Sequence, residues 1–203
     1  FHLAATTGDA ESCRLIGLAT DRTCEGELNQ IAVRLEQSAS ERDYFRVIGG
    51  KTGQLFAVSC LLGARTAGGS VTQQSQLKQF GMRIGLAFQI ADDVLDLTED
   101  TEKTGKDAAN DISNHRLTLP LIRALKLGTE VEQRQLRELL SSADSDQPAR
   151  LREESLVRQG IASAQATAEH FVRRALRNLE SMSPCAARET LAGIARFALH
   201  RTA

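Results

Sequence analysis

Apolar residues recur along this chain at intervals of three and four, the spacing of one face of an α-helix, and strand-like alternation is nearly absent. The pattern predicts helices near 10–37, 42–66, 71–97, 117–127, 129–143, 148–182 and 185–201. Polar or small residues punctuate it at 38–40, 67–70, 98–116, 142–146 and 183–184. Pro120, Pro148 and Pro184 all fall where a helix starts or stops. Asp9 is placed to cap the first full helix, and Ser40 or Asp43 the second. No internal repeat is evident. The expected fold class is all-α, with residues 1–203 forming one domain as an antiparallel helical bundle.

One segment conflicts with its apolar surroundings. Residues 85–97 read Gly-Leu-Ala-Phe-Gln-Ile-Ala-Asp-Asp-Val-Leu-Asp-Leu, placing Asp92, Asp93 and Asp96 at the end of a greasy helix. Asp92 and Asp96 then stack one turn apart, with Asp93 about 100° round from Asp92. Three carboxylates crowded on an apolar wall repel each other and lose solvation. A divalent cation removes the conflict, and Mg²⁺ is usually shared between one or two carboxylates and a substrate phosphate. The expectation is a magnesium–diphosphate site. Three solvated acids at a frayed helix end are the alternative. A calcium loop starting at Asp96 fails, because Thr101 stands where such a loop needs glycine.

Hairpin geometry brings further residues to that wall. Gly26 lies 13 residues before Ala39 and Lys51 lies 12 after it, so they share a height in antiparallel neighbours. Lys51 lies 17 before Gly68 and Asp92 lies 24 after it, a mismatch of about 10 Å at 1.5 Å per residue. Lys51, Glu25-Gly26-Glu27 and the aspartates are therefore expected around one cavity. Lys51 reads either as a point charge for phosphate oxygens or as a surface lysine with a buried stem. Gly49 and Gly50 each weaken a helix by about 1 kcal/mol against alanine, which calls for close backbone packing or a ligand. Gln89 shares a face with Asp92 and Asp93 and is placed to donate to a phosphate or to fix a carboxylate. The stretch 98–116 is long for a bundle loop, and its Lys106 and Arg116 suit a basic lid that excludes water. His115 alone is weak evidence for a general base.

Composition narrows the field without choosing a function. The 203 residues are 41% hydrophobic and 25% charged, with a formal net charge of −1. That balance gives no electrostatic reason to expect nucleic acid. No apolar run is expected to cross a bilayer. Cys13, Cys24, Cys60 and Cys185 form no CxxC pair, so packed, reduced thiols and a cytoplasmic location are expected, and zinc is not. The chain opens on Phe-His-Leu-Ala-Ala, which reads as mid-helix and as the C-terminal portion of a longer protein.

Gly-Leu-Ala-Phe-Gln-Ile-Ala-Asp-Asp-Val-Leu-Asp, then Thr-Gly-Lys and Leu-Thr-Leu-Pro-Leu-Ile, resembles the second aspartate-rich region of trans-polyprenyl diphosphate synthases. Cys-Glu-Gly-Glu-Leu (24–28), Tyr-Phe-x-Val-Ile-x-Gly-Lys-Thr (44–52) and Phe-Ala-Leu-His-Arg (197–201) match in order, so the resemblance runs the length of the chain. It implies an all-α bundle around a central cavity, usually homodimeric. The implied reaction joins an allylic prenyl diphosphate to isopentenyl diphosphate, for quinone or other isoprenoid synthesis. By resemblance Asp92, Asp93 and Asp96 are Mg²⁺ ligands, and Lys51, Asp92 and Asp93 are catalytic. Lys51, Thr52, Gln89, Lys106 and Arg116 would bind substrate.

Two departures qualify this. The family's first aspartate-rich motif lies upstream of Phe1, so the chain alone is expected to be inactive. His115-Arg116 also stands where the family usually has Gly-Lys. The Glu-Gly-Glu stretch is closer to that of longer-chain synthases. Two other readings remain open at this point, a class I terpene cyclase and a non-catalytic partner subunit. The Gly-Lys-Thr and Leu-Thr-Leu-Pro-Leu matches speak against the cyclase, and the intact aspartate triplet against the subunit.

Overall fold

A computed structural model describes residues 2–36, 40–98, 117–142 and 146–199. Among these, every regular element is helical. They are α1 (His2–Thr6), α2 (Ala10–Glu36), α3 (Glu41–Ile48), a π-helical turn (Gly49–Gly53), α4 (Gln54–Thr66) and α5 (Val71–Thr98). From residue 117 onward come α6 (Leu119–Leu127), α7 (Glu130–Ser141), α8 (Gln147–Glu153), α9 (Ser155–Glu180) and α10 (Ala186–Phe197). The expected all-α class is what the structure shows.

Local chemistry sets the starts of these helices. The Asp9 carboxylate accepts the Glu11 and Ser12 N–H groups at 3.1 and 3.3 Å and so caps α2. Ser40, rather than Asp43, caps α3, accepting the Asp43 N–H at 3.2 Å. Thr129 and Glu132 form a reciprocal capping box on α7.

The central element is α5, packed between α4 and α9; α9 in turn holds α6. Phe80, Ile84, Ala87, Ile90 and Val94 line the buried face of α5. They meet Ala164, Ala168, Val172, Ala175 and Leu179 of α9 in the main core. The small residues of α9 let the two axes approach closely, while the larger side chains of α5 fill the seam. A second cluster, including Leu97, Leu121, Leu136, Leu151 and Val157, lies beneath α6, α7 and α8.

Three expectations are corrected. The segment 148–182 is not one helix: Glu154 takes an extended conformation (φ −63°, ψ 125°) and separates α8 from α9. At its other end α8 is tied to α7, since the buried Gln147 amide donates to the Leu139 and Leu140 carbonyls at 2.8 and 2.9 Å. Secondly, Glu41–Thr66 is long and apolar enough to cross a membrane by length and composition, contrary to the sequence reading. The same apolarity serves packing here, because this stretch lies against α2 and α5. Thirdly, only Cys13 and Cys60 are partly buried, whereas Cys24 and Cys185 are exposed; all four are free thiols.

Candidate functional site

The site begins where the α3–α4 segment changes pitch. Across Gly49–Gly53 the backbone widens to i→i+5 bonding, with the Gln54 N–H donating to the Gly49 carbonyl. Such single π turns are frequent at functional sites. Here the turn carries Lys51 and Thr52. α2 crosses it at very short range: a Cβ on Gly26 would lie 2.5 Å from the Lys51 nitrogen, and one on Gly50 would lie 2.8 Å from the Arg22 carbonyl oxygen. Close backbone packing therefore accounts for Gly26 and Gly50. Gly49 meets no such contact. It borders an open hollow of about 570 Å³ lined also by Glu25, Gly26, Phe45 and Met82.

From the π turn the two polar side chains go to different helices. Lys51 Nζ reaches α2, 3.0 Å from Glu27 Oε1 and 3.2 Å from Gln30 Oε1. Thr52 reaches α5, its hydroxyl donating to Gln89 Oε1 at 2.9 Å. The Gln89 amide then donates to Asp93 Oδ1 at 3.1 Å, and the Tyr44 hydroxyl donates to Asp93 Oδ2 at 2.5 Å. A continuous hydrogen-bond chain Thr52–Gln89–Asp93–Tyr44 thus joins the π turn, α5 and α3. Its acid is only 2% exposed, and Gln89 only 8%.

The three aspartates are consequently not equivalent. Asp93 points into the bundle and is gripped from both oxygens, while Asp92 and Asp96 are half-buried. Asp92 and Asp96 are one helical turn apart and share a face. Among the described residues no three His, Cys, Asp or Glu side chains gather into a closed metal cage. The donor chemistry nonetheless suits a hard cation: carboxylate oxygens on one face, with room left for water or phosphate, are how Mg²⁺ is usually held.

The structure therefore brings Thr52, Gln89 and Asp93 into one network, and sets Lys51 beside it facing Glu27. Lys106, Arg116 and His115 lie outside the described residues. Tyr44 is the member that sequence reasoning missed. Its signal was the chain's single tyrosine, two helical turns before Lys51, and nothing in the spacing identified its partner as Asp93.

Beside the site, Glu41 in the first turn of α3 locks that helix to α6. Its carboxylate lies 3.0 Å from Lys126 Nζ and 3.2 Å from Arg123 Nη2. Burial pushes the Glu41 carboxyl up, but the hydrogen bonds from Lys126 and Arg123 outweigh it and hold the group below its ordinary value. Arg123 also donates to the Ser163 carbonyl and to the Thr167 hydroxyl, both at 2.7 Å, so it joins three helices.

Comparison with known proteins gives one answer. Residues 1–156 match the family model described as polyprenyl synthetase. The chain is 34% identical to a short chain isoprenyl diphosphate synthase of Methanothermobacter thermautotrophicus, covering 99% of this chain and 63% of that protein. It is 32% identical to heptaprenyl diphosphate synthase component 2 of Bacillus subtilis, over 91% of this chain and 52% of that one. Its fold superposes with a TM-score of 0.91 on a Caulobacter crescentus polyprenyl synthase complexed with calcium and isoprenyl diphosphate. That match has 29% identity and covers 100% of this chain and 62% of the other. The chain thus spans 52–63% of the length of these relatives.

Proposed function

The chain belongs to the polyprenyl synthetase family, and from that premise we propose that it is the diphosphate-gripping part of a prenyltransferase. The reaction is condensation of an allylic prenyl diphosphate with isopentenyl diphosphate to give a trans-polyprenyl diphosphate, in the service of isoprenoid or quinone synthesis. The observation that carries this reading is the Thr52–Gln89–Asp93–Tyr44 chain. It ties the Gly-Lys-Thr segment to the aspartate wall, as a site holding one anionic substrate between two helices requires.

In this proposal Asp92, Asp93 and Asp96 present oxygens to Mg²⁺, and the bonds of Asp93 to Tyr44 and Gln89 fix the wall. Magnesium, when bound, neutralises charge on the diphosphate oxygens, which is electrostatic stabilisation of a leaving group. Lys51 adds a cation beside the diphosphate by exchanging its contact with Glu27. Thr52 and Gln89 hold the substrate's orientation, and Lys106 and Arg116 complete the basic side. The apolar faces of α3 to α5 keep water from the allylic cation. We place the protein in the cytoplasm as a homodimer. The Bacillus subtilis relative's designation as a component supports a second arrangement, in which this chain works with a different subunit.

Calorimetry with farnesyl diphosphate tests the assignment. Uptake is expected with Mg²⁺ and not with chelator, and is expected to vanish when Asp92, Asp93 and Asp96 are all changed to alanine. Undiminished Mg²⁺-dependent uptake by that triple variant would overturn it. Labelled isopentenyl diphosphate supplied to the 203-residue chain alone is expected to yield no elongated product; linear elongation by that chain contradicts this expectation. Cyclic hydrocarbon from the allylic substrate favours a cyclase instead.

A further inference from the structure

The outer seam between α5 and α9 carries a second, opposite kind of electrostatic site. Gln76, Gln79 and Arg83 fall at i, i+3 and i+7 on α5, while His170, Arg174 and Arg177 fall at i, i+4 and i+7 on α9. The two stripes face each other across an open groove of about 470 Å³, floored by Asn178. No carboxylate and no apolar side chain is among the residues that line it. Seven residues of helix make each stripe about 10 Å long.

The charges there are arranged rather than scattered. Among the described residues Arg83 is held by neutral acceptors: it donates to Asn178 Oδ1, to the Arg174 carbonyl at 3.2 Å and to Gln79 Oε1 at 3.1 Å. Asn178, 5% exposed, is itself fixed through its amide donating to Gln76 Oε1. Arg174 and Arg177 make no ion pair among the described residues, whereas nearby Arg173 pairs with Glu169. Burial, followed by the Arg174 and Arg177 guanidiniums, pulls Arg83 below its ordinary value, so the three cations repel one another. Concentrating like charge in a chain whose formal net charge is −1 costs free energy that an anion would recover.

We propose that the α5–α9 groove binds a phosphate-bearing anion through Arg83, Arg174 and Arg177. Guanidiniums and side-chain amides are the donors that grip phosphate oxygens from several directions. The length of the stripes favours two or more linked phosphates over one. The lack of apolar lining disfavours a peptide, which would need a side-chain anchor. The groove is separate from the aspartate wall, since Arg83 precedes Asp93 by ten residues, about 15 Å along α5. The inference does not depend on the proposed prenyl transfer.

Titration of the 203-residue chain with inorganic tripolyphosphate, in magnesium-free buffer containing chelator, tests this. The expected result is saturable binding that falls at least tenfold in the double variant R174Q/R177Q and is unchanged in D92N/D96N. Both arginines are exposed, so circular dichroism and melting temperature should match the parent chain. Sedimentation with phosphatidylglycerol and phosphatidylcholine vesicles separates the two sources of the same chemistry. Binding of tripolyphosphate marks a free oligophosphate, and binding only to the anionic vesicles marks a lipid headgroup. Loss of either with R174Q/R177Q supports the site. Binding of neither, binding indifferent to R174Q/R177Q, or equal binding of sulfate or polyglutamate at matched ionic strength would overturn it.

Discussion

A single buried carboxylate organises the residue scale. Asp93 is the middle acid of a triplet whose one-dimensional spacing makes all three look alike, yet Asp93 is buried where Asp92 and Asp96 are half-buried, and it accepts from Tyr44 and Gln89 inside the bundle. Removing one donor from a buried charged acceptor costs about 1–3 kcal/mol. Tyr44→Phe keeps the ring, which packs edge-on to Phe45 with centroids 5.4 Å apart, and deletes only the hydroxyl. Chemical denaturation should show Y44F destabilised within that range. Farnesyl diphosphate binding should weaken in step, because the aspartate wall loses its tie to α3. Parent-like stability and uptake would show that the Tyr44 bond carries no weight. The candidate residues were legible from the sequence as a set; their division of labour was not, since which acid turns inward depends on a tyrosine 49 positions away.

At the scale of elements, two contacts decide how α2 and α3 meet the rest. The first is the crossing of α2 over the π turn, where Gly26 and Gly50 bring backbones together. Gly26→Ala would place a methyl 2.5 Å from the Lys51 nitrogen, with only backbone to move aside. A loss of about 1–3 kcal/mol is expected from such overpacking. It should be read as a lower denaturation midpoint, with weaker diphosphate uptake as Lys51 is displaced. The sequence raised packing and ligand binding as alternative reasons for Gly49 and Gly50, and the crossing decides for packing at Gly50.

The second contact is the Glu41 clamp onto Lys126 and Arg123. Because the folded state holds the Glu41 carboxyl below its ordinary value of 4.5, its contribution is complete above that pH and is lost as pH falls through the folded value. E41Q should therefore flatten the loss of stability between about pH 5 and pH 3. At neutral pH its cost should be about 1 kcal/mol or less, since the pair is partly solvated and Arg123 keeps its bonds to Ser163 and Thr167. Urea titrations at several pH values give both numbers.

At the scale of the whole molecule, α5 separates two regions of opposite sign. Its C-terminal end carries the aspartates, and its N-terminal half carries Arg83 in the basic seam with α9. Helical periodicity and turn residues alone determined that the chain is all-helical, and placed most helix limits within a few residues, because 3.6-residue spacing and caps are local properties. They also marked the aspartate wall, because carboxylates in a greasy stretch are costly wherever the chain goes. Tertiary structure alone decided the rest. It turned Lys51 toward Glu27 and Thr52 toward Gln89, buried Asp93 on Tyr44, and tied the start of α8 to α7 through Gln147. It also lined up two half-polar stripes, neither remarkable by itself, into one basic groove. Each of those outcomes is a pairing between residues far apart in the chain, and sequence spacing specifies the faces that are presented but not which faces meet.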